Sequence, residues 1–239
     1  MEHIYKTPGM LANDESDLCG GCGIGIIIRI IAELIEEMEL DDVNILPLGV
    51  PCPENAQGWG CFTIASPPFA SSAMSASIKR LNPEQTLIIF QGEGATASSG
   101  ISDTIHTANR GDSLTVISIN NLCKNNYSGG MSFSNAYSFN SMNFQPPINS
   151  GNLKTPEMIA SLPKSQFVAR VSVHNPKEII KAKAAIKQGL ITQIDDNGYS
   201  FIEIICPCHV NLDIDAVEIS GYVEDNIIKN YPLGIIKSI

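Results

Sequence analysis

Two groups of residues in this chain have the types and spacing that chemistry requires, and cysteines form the first. Cys19 and Cys22 make a C-x-x-C pair on one tight turn before a predicted helix. Such a pair is compatible with zinc binding, thiol redox chemistry or an iron–sulfur cluster. The chain has 7 cysteines, and an odd number with no visible secretory signal argues against a disulfide framework. In a reducing compartment, clustered cysteines more often bind a metal or a cluster.

The second group consists of polar residues that follow two predicted strands. Gly92-Glu93-Gly94 comes between a strand and a helix, and Asn120-Asn121 follows the next strand. Glycines at such a turn let backbone N–H groups approach a diphosphate, and a helix N-terminus favours its charge. A carboxylate, an amide oxygen and a backbone carbonyl suit Mg²⁺. Each tripeptide or dipeptide alone is a weak signal, and their position after successive strands makes the combination more specific.

Alternating helical and strand patterns predict the elements that must position these groups. Helices are predicted at residues 25–40, 71–81, 95–109, 155–162 and 176–188, and strands at 43–50, 86–91, 113–119, 166–173 and 199–206. This order predicts an α/β fold with one parallel sheet covered by helices on both faces. Ligands of such sheets bind at the carboxyl ends of the strands.

The rest of the chain gives broader expectations. Residues 125–152 form a long polar segment typical of a functional or mobile loop. No repeat or low-complexity linker is visible, so a single domain over residues 1–239 is expected. The net charge of −10 argues against nucleic acid and anionic membranes as partners. The longest apolar run is too short to span a bilayer, and the first ten residues show no signal peptide, which together favour a cytoplasmic protein.

The motifs resemble those of the thiamine diphosphate-binding β subunits of 2-oxoacid:ferredoxin oxidoreductases. Gly92-Glu93-Gly94, then a helix and a strand, then Asn120-Asn121 is similar to the G-D-G…N-N signature for thiamine diphosphate. Residues 105–111 resemble the helix end within that signature, and residues 128–130 resemble its T-G-G turn. Residues 19–23 resemble the family's C-P-G-C-G-H stretch. The similarity extends from about Lys6 to Leu212 and implies the thiamine diphosphate-binding fold.

The resemblance implies the composition of a cofactor site. Thiamine diphosphate and Mg²⁺ are expected, with Glu93, Asn121 and the backbone oxygen of Cys123 as metal ligands. A [4Fe–4S] cluster is expected as well, and Cys206 is an alternative to Cys208 in its ligand set. The glycines of the expected cofactor site are Gly20, Gly21, Gly23, Gly92, Gly94 and Gly129, and the expected cluster ligands are Cys19, Cys22, Cys52 and Cys208. A zinc site remains an alternative for the four cysteines.

The resemblance also implies a reaction and its partners. The family oxidises a 2-oxoacid with coenzyme A to acyl-CoA and CO₂, and passes the electrons to ferredoxin. No catalytic side chain is assigned, because thiamine diphosphate carries the chemistry. A separate α subunit is expected to supply the pyrimidine half of the cofactor site, and γ and δ ferredoxin-like subunits are expected in the hetero-oligomer. The sequence does not reveal which 2-oxoacid is used.

Several positions depart from the family's pattern. Glu93 stands where the family has Asp and adds one methylene to a site with strict geometry. Ile24 replaces an expected His, residues 68–70 replace an H-G-R segment, and Ala95 replaces an acidic residue. Two alternatives therefore remain open. One is a paralogue that keeps the cluster and binds thiamine diphosphate weakly or not at all, and the other is a non-catalytic electron-transfer or assembly subunit.

Overall fold

The computed structural model describes residues 7–11, 18–48, 62–63, 70–97, 100–121 and 153–239. The predicted loop at 125–152 lies outside these ranges. So do three predicted site residues, Cys52, Cys123 and Gly129. The expectation of a single domain over the whole chain stays a prediction.

Seven strands form one sheet in the order β2-β1-β3-β4-β6-β5-β7. All neighbouring pairs are parallel except β5 and β7, which are antiparallel. The strands are β1 (Val43–Leu48), β2 (Phe62–Thr63), β3 (Thr86–Gly92), β4 (Thr115–Asn120), β5 (Ser165–Ser172), β6 (Tyr199–Ile205) and β7 (Gly234–Ser238). The parallel strands share one edge at their carboxyl ends, called the carboxyl edge below.

Helices connect the strands and continue after β6. They are α1 (Gly23–Glu37), α2 (Ser71–Leu81), α3 (Glu93–Ala97), α4 (Ile101–Arg110), α5 (Thr155–Ala160), α6 (Pro176–Ile194), α7 (His209–Leu212) and α8 (Ile219–Tyr222). A π-helical turn, Val223–Ile227, follows α8. Within the ranges given above, none of these helices combines the length and the apolar character needed to cross a bilayer.

Helices α1 and α6 cover one face of the sheet. The helical spacing of Ile27, Ile31 and Leu34 places all three on one side of α1, where they are fully buried. They pack in one apolar cluster with Ile186 and Leu190 of α6 and with side chains from β1, β3, β4, β5 and β6. Burial of each such side chain stabilises the fold by roughly 1.5–3 kcal/mol, so this face holds α1 firmly against the sheet.

Helices α2, α4 and α5 contribute to the core on the other face. Ala76, Ala108 and Ile159, one from each helix, are buried there beside Val116 and Phe201 of the sheet. Both faces are therefore covered, and the predicted fold class is confirmed. Helix α2 has the predicted bounds, because its small-residue pattern ends at Asn82.

Four of the five predicted helices differ from the observed ones in their bounds, and two of them differ most. The helix predicted at 95–109 consists of α3 and α4, with residues 98–99 between them outside the described ranges. The helix predicted at 176–188 continues to Ile194, although Gly189 follows its predicted end. A Cβ at Gly189 would lie 2.7 Å from Cδ1 of Ile202. This glycine therefore allows α6 to approach β6 closely and does not end the helix.

Candidate functional site

The carboxyl edge brings the two predicted oxygen ligands onto neighbouring strands. Glu93 directly follows β3, and Asn121 directly follows β4. Gly92 pairs with Ile119 in the register of these two strands. The Glu93 and Asn121 residues are both buried, at 3% exposure each. The structure therefore places these residues as predicted, and the third expected ligand, Cys123, lies outside the described residues.

Two hydroxyl groups fasten the turn that carries Glu93. Thr96 Oγ1 donates a hydrogen bond of 3.0 Å to the Gly92 carbonyl. Ser118 Oγ on β4 donates to Thr96 Oγ1, also at 3.0 Å. The start of α3 is thus tied both to its own strand and to the neighbouring one. Because Glu93 is the first residue of α3, these bonds restrict where its carboxylate can lie.

Two buried polar atoms beside this turn have no hydrogen-bond partner among the described residues. They are Oδ1 of Asn120 and Nε2 of Gln91. Asn120 is fully buried and Gln91 is 2% exposed. Buried polar groups are nearly always hydrogen-bonded in folded proteins. An acceptor and a donor left over beside Glu93 and Asn121 are consistent with a polar group bound at the carboxyl edge, as a metal-held diphosphate requires.

The C-x-x-C turn lies at the start of α1, where Cys22 is the N-cap residue. The Cys22 N–H donates to the Cys19 carbonyl at 3.0 Å. Burial raises the pKa of the Cys22 thiol, the backbone N–H groups of Ile24 and Gly25 lower it, and the neighbouring Cys208 and Cys19 raise it. Cys19 and Cys208 therefore both lie near the Cys22 thiol. These three residues are predicted cluster ligands.

The structure supports Cys208 over Cys206 as the fourth ligand. Cys206 is 3% exposed and belongs to the apolar core beside Val173. Burial raises the pKa of its thiol well above the ordinary value. Thiolates are the form that binds metals, and an apolar environment disfavours the thiolate. Cys208 is half-buried at the start of the short helix α7.

Backbone hydrogen bonds join the cysteines to the oxygen ligands. The Cys206 N–H donates to the Asn120 carbonyl at 2.8 Å, and the Cys208 N–H donates to the Asn121 carbonyl at 3.0 Å. The segment after β6 is therefore fixed to the end of β4. The two groups of residues that the sequence analysis treated separately form one continuous region of the carboxyl edge.

The described residues do not by themselves form a closed metal centre. Within these ranges, no three His, Cys, Asp or Glu side chains converge closely enough to hold a metal ion. The predicted cluster set includes Cys52, and the predicted magnesium set includes the Cys123 carbonyl, neither of which is described. The thiols and oxygens present are of the types that each group requires.

The predicted glycines have different structural roles. Gly21 has φ +79°, a conformation that favours glycine, and a Cβ at Gly23 would lie 2.6 Å from the Cys206 sulfur. Gly20 has open space around its Cα. Gly92 ends β3, and Gly94 is buried in α3. Gly23 is therefore required for packing, independently of any cofactor.

The departures from the family's pattern bury apolar groups at the same edge. Ile24 and Ala95 are 5% and 3% exposed, and Ile24 belongs to the apolar core around α1. The polar residues that sequence reasoning missed lie one layer further into the sheet. They are Gln91, Glu203 and Arg170, each a polar or charged residue within a mostly apolar strand. That interruption of an apolar strand was the signal available in the sequence.

Comparison with known proteins finds relatives among 2-oxoacid oxidoreductases. No protein-family model matches the chain. The ketoisovalerate oxidoreductase subunit VorA of Methanothermobacter thermautotrophicus is 29% identical over 238 residues, which cover 98% of this chain and 50% of that protein. The 2-oxoglutarate synthase subunit KorB of Methanocaldococcus jannaschii is 27% identical over 192 residues, covering 80% of this chain and 68% of that protein. The chain thus spans about half the length of the ketoisovalerate relative.

A solved structure shares the fold. It is 2-oxoglutarate:ferredoxin oxidoreductase from Magnetococcus marinus, with 2-oxoglutarate, coenzyme A and succinyl-CoA bound. The superposition has a TM-score of 0.75 at 14% sequence identity, and covers 99% of this chain and 86% of that one. The sequence similarity along almost the whole chain supports a relationship with the 2-oxoacid:ferredoxin oxidoreductases, and the shared fold agrees with it.

Proposed function

We propose that this chain is the thiamine diphosphate-binding, β-type subunit of a cytoplasmic 2-oxoacid:ferredoxin oxidoreductase. Within a hetero-oligomer it takes part in the coenzyme A-dependent oxidative decarboxylation of a 2-oxoacid, with ferredoxin as electron acceptor. One observation carries the proposal. Candidate oxygen ligands, Glu93 and Asn121, lie beside candidate thiolate ligands at one sheet edge, and the Cys208 N–H joins the two through the Asn121 carbonyl.

The residues at the ends of β3 and β4 would bind the cofactor. Glu93 and Asn121 would hold Mg²⁺, with the Cys123 carbonyl as the third protein ligand, and the glycines would admit the diphosphate. When bound, thiamine diphosphate supplies the electron sink for decarboxylation. Burial of Glu93 and Asn121 keeps bulk water away from the metal ligands, which strengthens their interaction with a cation.

The cysteines would hold the electron acceptor. Cys19, Cys22, Cys52 and Cys208 would bind a [4Fe–4S] cluster, which accepts electrons one at a time. The N–H groups of Ile24 and Gly25 at the start of α1 stabilise the Cys22 thiolate. The hydrogen bond from the Cys208 N–H to the Asn121 carbonyl places Cys208 about one strand spacing, roughly 4.8 Å, from the end of β4. Electrons therefore have a short path from the thiamine side to the thiol side.

The partners are inferred from the relatives. The relatives are named as subunits, which supports a multi-subunit enzyme. An α subunit would supply the pyrimidine half of the thiamine site, and γ and δ ferredoxin-like subunits would carry electrons onward.

A second candidate function follows from Glu93 itself. The longer side chain moves the carboxylate by about one bond length, and Ile24 and Ala95 add no polar contact at this edge. These observations favour a paralogue that keeps the cluster and binds no thiamine diphosphate. Such a chain would act as an electron-transfer or structural subunit.

Cofactor content of the anaerobically purified complex distinguishes the two functions. We expect about one thiamine diphosphate per copy of this chain, and about four iron atoms for its cluster in addition to the iron of the ferredoxin-like subunits. Iron at that level without thiamine diphosphate would support the second function, that of a cluster-bearing paralogue. Absence of both the iron and the thiamine diphosphate would contradict both functions. Glu93→Gln should lower thiamine content and leave iron unchanged, because it removes the metal-binding charge but no thiol.

A matched pair of serine variants tests the cluster ligands. Cys208→Ser should lower the iron content, because it replaces a half-buried ligand at the C-x-x-C turn. Cys206→Ser is the control and should retain iron, since that thiol is packed in the core. If only Cys206→Ser lost iron, Cys206 and not Cys208 would be the fourth cluster ligand.

A further inference from the structure

A row of buried polar side chains crosses one face of the sheet just below the carboxyl edge. In the strand register, Gln91 of β3 pairs with Ser118 of β4, Ser118 with Glu203 of β6, and Glu203 with Arg170 of β5. All four residues are 1–3% exposed. The next row inward on the same face is apolar and contains Ile89, Val116, Phe201 and Val168. Because buried polar side chains need hydrogen-bond partners, the contacts of these four residues indicate what they do.

Arg170 anchors this row. Its guanidinium donates to Glu157 through two hydrogen bonds of 2.7 Å, and its Nε donates to Oε2 of Glu203. The guanidinium also lies 5.5 Å from the centre of the Tyr231 ring. Glu203 is therefore held in one orientation, with one oxygen assigned to Arg170 and the other directed toward β4.

Glu203 in turn orients Asn120. Nδ2 of Asn120 donates to Oε1 of Glu203 at 3.2 Å. A carboxylate accepts hydrogen bonds and donates none, so the NH₂ group of Asn120 must face Glu203. Its Oδ1 must then face away from Glu203, and this oxygen has no partner among the described residues. The pair fixes a buried acceptor next to Asn121.

We propose that Asn120 is a ligand-binding residue, whose Oδ1, oriented by Glu203, accepts a hydrogen bond from a donor on the group bound beside Glu93 and Asn121. The inference rests on the proposed function, because that function supplies the bound group. The donor is a water held by the cation or an N–H or O–H of the organic ligand. Glu203 is a positioning residue, and Arg170 holds Glu203 in place.

Glu203→Gln reverses the orientation without changing the shape of the core. Arg170 only donates, so the oxygen of the new amide must face Arg170 and its NH₂ group must face Asn120. Two NH₂ groups cannot bond each other, and Asn120 must turn its Oδ1 toward position 203. Asn120 then presents its NH₂ donor to the site, where the unmodified protein presents the Oδ1 acceptor. Arg170 stays paired with Glu157, so no buried charge loses its partner.

A second substitution restores the acceptor. In Asn120→Asp/Glu203→Gln, one oxygen of the new carboxylate accepts from the amide at 203, and the other faces the carboxyl edge. The net charge equals that of the unmodified protein. An effect of orientation is therefore reversed in the double variant, whereas general damage to the core is not.

Binding to the cofactor-stripped complex, kept anaerobic, tests the proposal. Mn²⁺ binding is followed by electron paramagnetic resonance, and thiamine diphosphate binding by calorimetry at saturating Mn²⁺. Glu203→Gln should weaken binding about tenfold, the typical effect of one buried hydrogen bond, and the double variant should bind as tightly as the unmodified complex or more tightly. Weaker binding of Mn²⁺ alone identifies the donor as cation-held water, and an effect confined to thiamine diphosphate identifies it as a group on the organic ligand.

Two further variants keep the test decisive. Asn120→Ser removes the acceptor with Glu203 intact and should also weaken binding about tenfold. Ser200→Ala removes a buried hydrogen bond to the Gly189 carbonyl, near the amino end of β6 and away from the carboxyl edge, and should lower the unfolding temperature but leave binding unchanged. The proposal would be overturned if Glu203→Gln and Asn120→Ser both bound as tightly as the unmodified complex. It would also be overturned if the double variant bound as weakly as Glu203→Gln. A parent complex that binds neither probe would overturn the proposed function with it.

Discussion

At the start of α1, Gly23 leaves no room for a larger residue. A Cβ there would lie 2.6 Å from the Cys206 sulfur and 3.0 Å from Cγ2 of Val173. Gly23→Ala should destabilise the protein by about 1–3 kcal/mol, the usual cost of overpacking a core. Denaturant unfolding followed by circular dichroism measures the change.

Cys206→Ala supplies the matching half of a double-mutant cycle. It removes the sulfur that the new methyl group would meet, so the double variant should be more stable than the sum of the two single effects predicts. Gly20→Ala is the control, because a Cβ at Gly20 has nothing within 4 Å, and its stability should stay within about 0.5 kcal/mol of the parent. Strictly additive effects would show that Gly23 is not constrained by Cys206.

Spacing along the chain predicts some site residues and misses others. Cys19 and Cys22 are three positions apart, so one turn brings them together whatever the rest of the fold does. Asn120 and Glu203 are 83 positions apart and meet only through the register of β4 and β6. A pattern along the sequence shows that a charged residue interrupts an apolar strand. It does not show which residue faces it on the next strand.

An ion pair between Glu157 and Arg170 links α5 to β5. Burial alone would raise the pKa of the Glu157 carboxyl, but the hydrogen bonds and charge of Arg170 outweigh burial and hold that pKa below its ordinary value. A depressed folded-state pKa gives stability that is present above the unfolded-state pKa and is lost as the pH falls through the folded one. As the pH falls from about 5 to about 3, the free energy of unfolding of the Glu157→Gln variant should therefore decrease less than that of the parent.

Denaturation midpoints measured across that pH range check the prediction. Glu218→Gln removes an exposed carboxylate before α8 and is the matched control, with the same pH dependence as the parent expected. Parallel curves for Glu157→Gln and the parent would show that the pair does not contribute to acid sensitivity.

Element ends are predicted less well than element types, for a physical reason. The helical pattern of α6 is clear, but a glycine at 189 indicates an end when only the chain is considered. The structure shows Gly189 at the crossing of α6 and β6, where its carbonyl accepts from Thr115 and Ser200. A close crossing and a helix end both require glycine, and only the neighbouring strand distinguishes them.

At the scale of the whole molecule, β7 closes one side of the sheet. It pairs with β5 from Phe167 to Arg170, and Lys237 Nζ donates to the Leu162 carbonyl at 2.6 Å. Removal of residues 234–239 should expose the β5 edge, lower the unfolding temperature by several degrees and promote self-association. Calorimetry and light scattering measure both effects.

Lys237→Ala is the matched control for that truncation. It removes the side-chain bonds but keeps the strand, and should cause a smaller loss of stability without self-association. A truncated protein that behaves like the parent would show that β7 contributes little to the sheet.

The alternation of helices and strands is sufficient to predict the five central strands of the sheet, but not the edge strands β2 and β7. Each predicted strand lies next to a segment with helical periodicity, so the two together predict a strand–helix unit. The segment Gly234–Ser238 has no such context, and its antiparallel pairing follows a return past α8 that no local pattern specifies. The predicted order of elements therefore ends at β6.

The reversed direction of β7 has a practical consequence. Ser238 pairs with Phe167 near the amino end of β5, so the chain leaves the sheet on the side opposite the carboxyl edge. An affinity tag or a fluorescent label joined after Ile239 would project away from Glu93, Asn121 and the cysteines. The protein could be immobilised through that end with the candidate site open to solution.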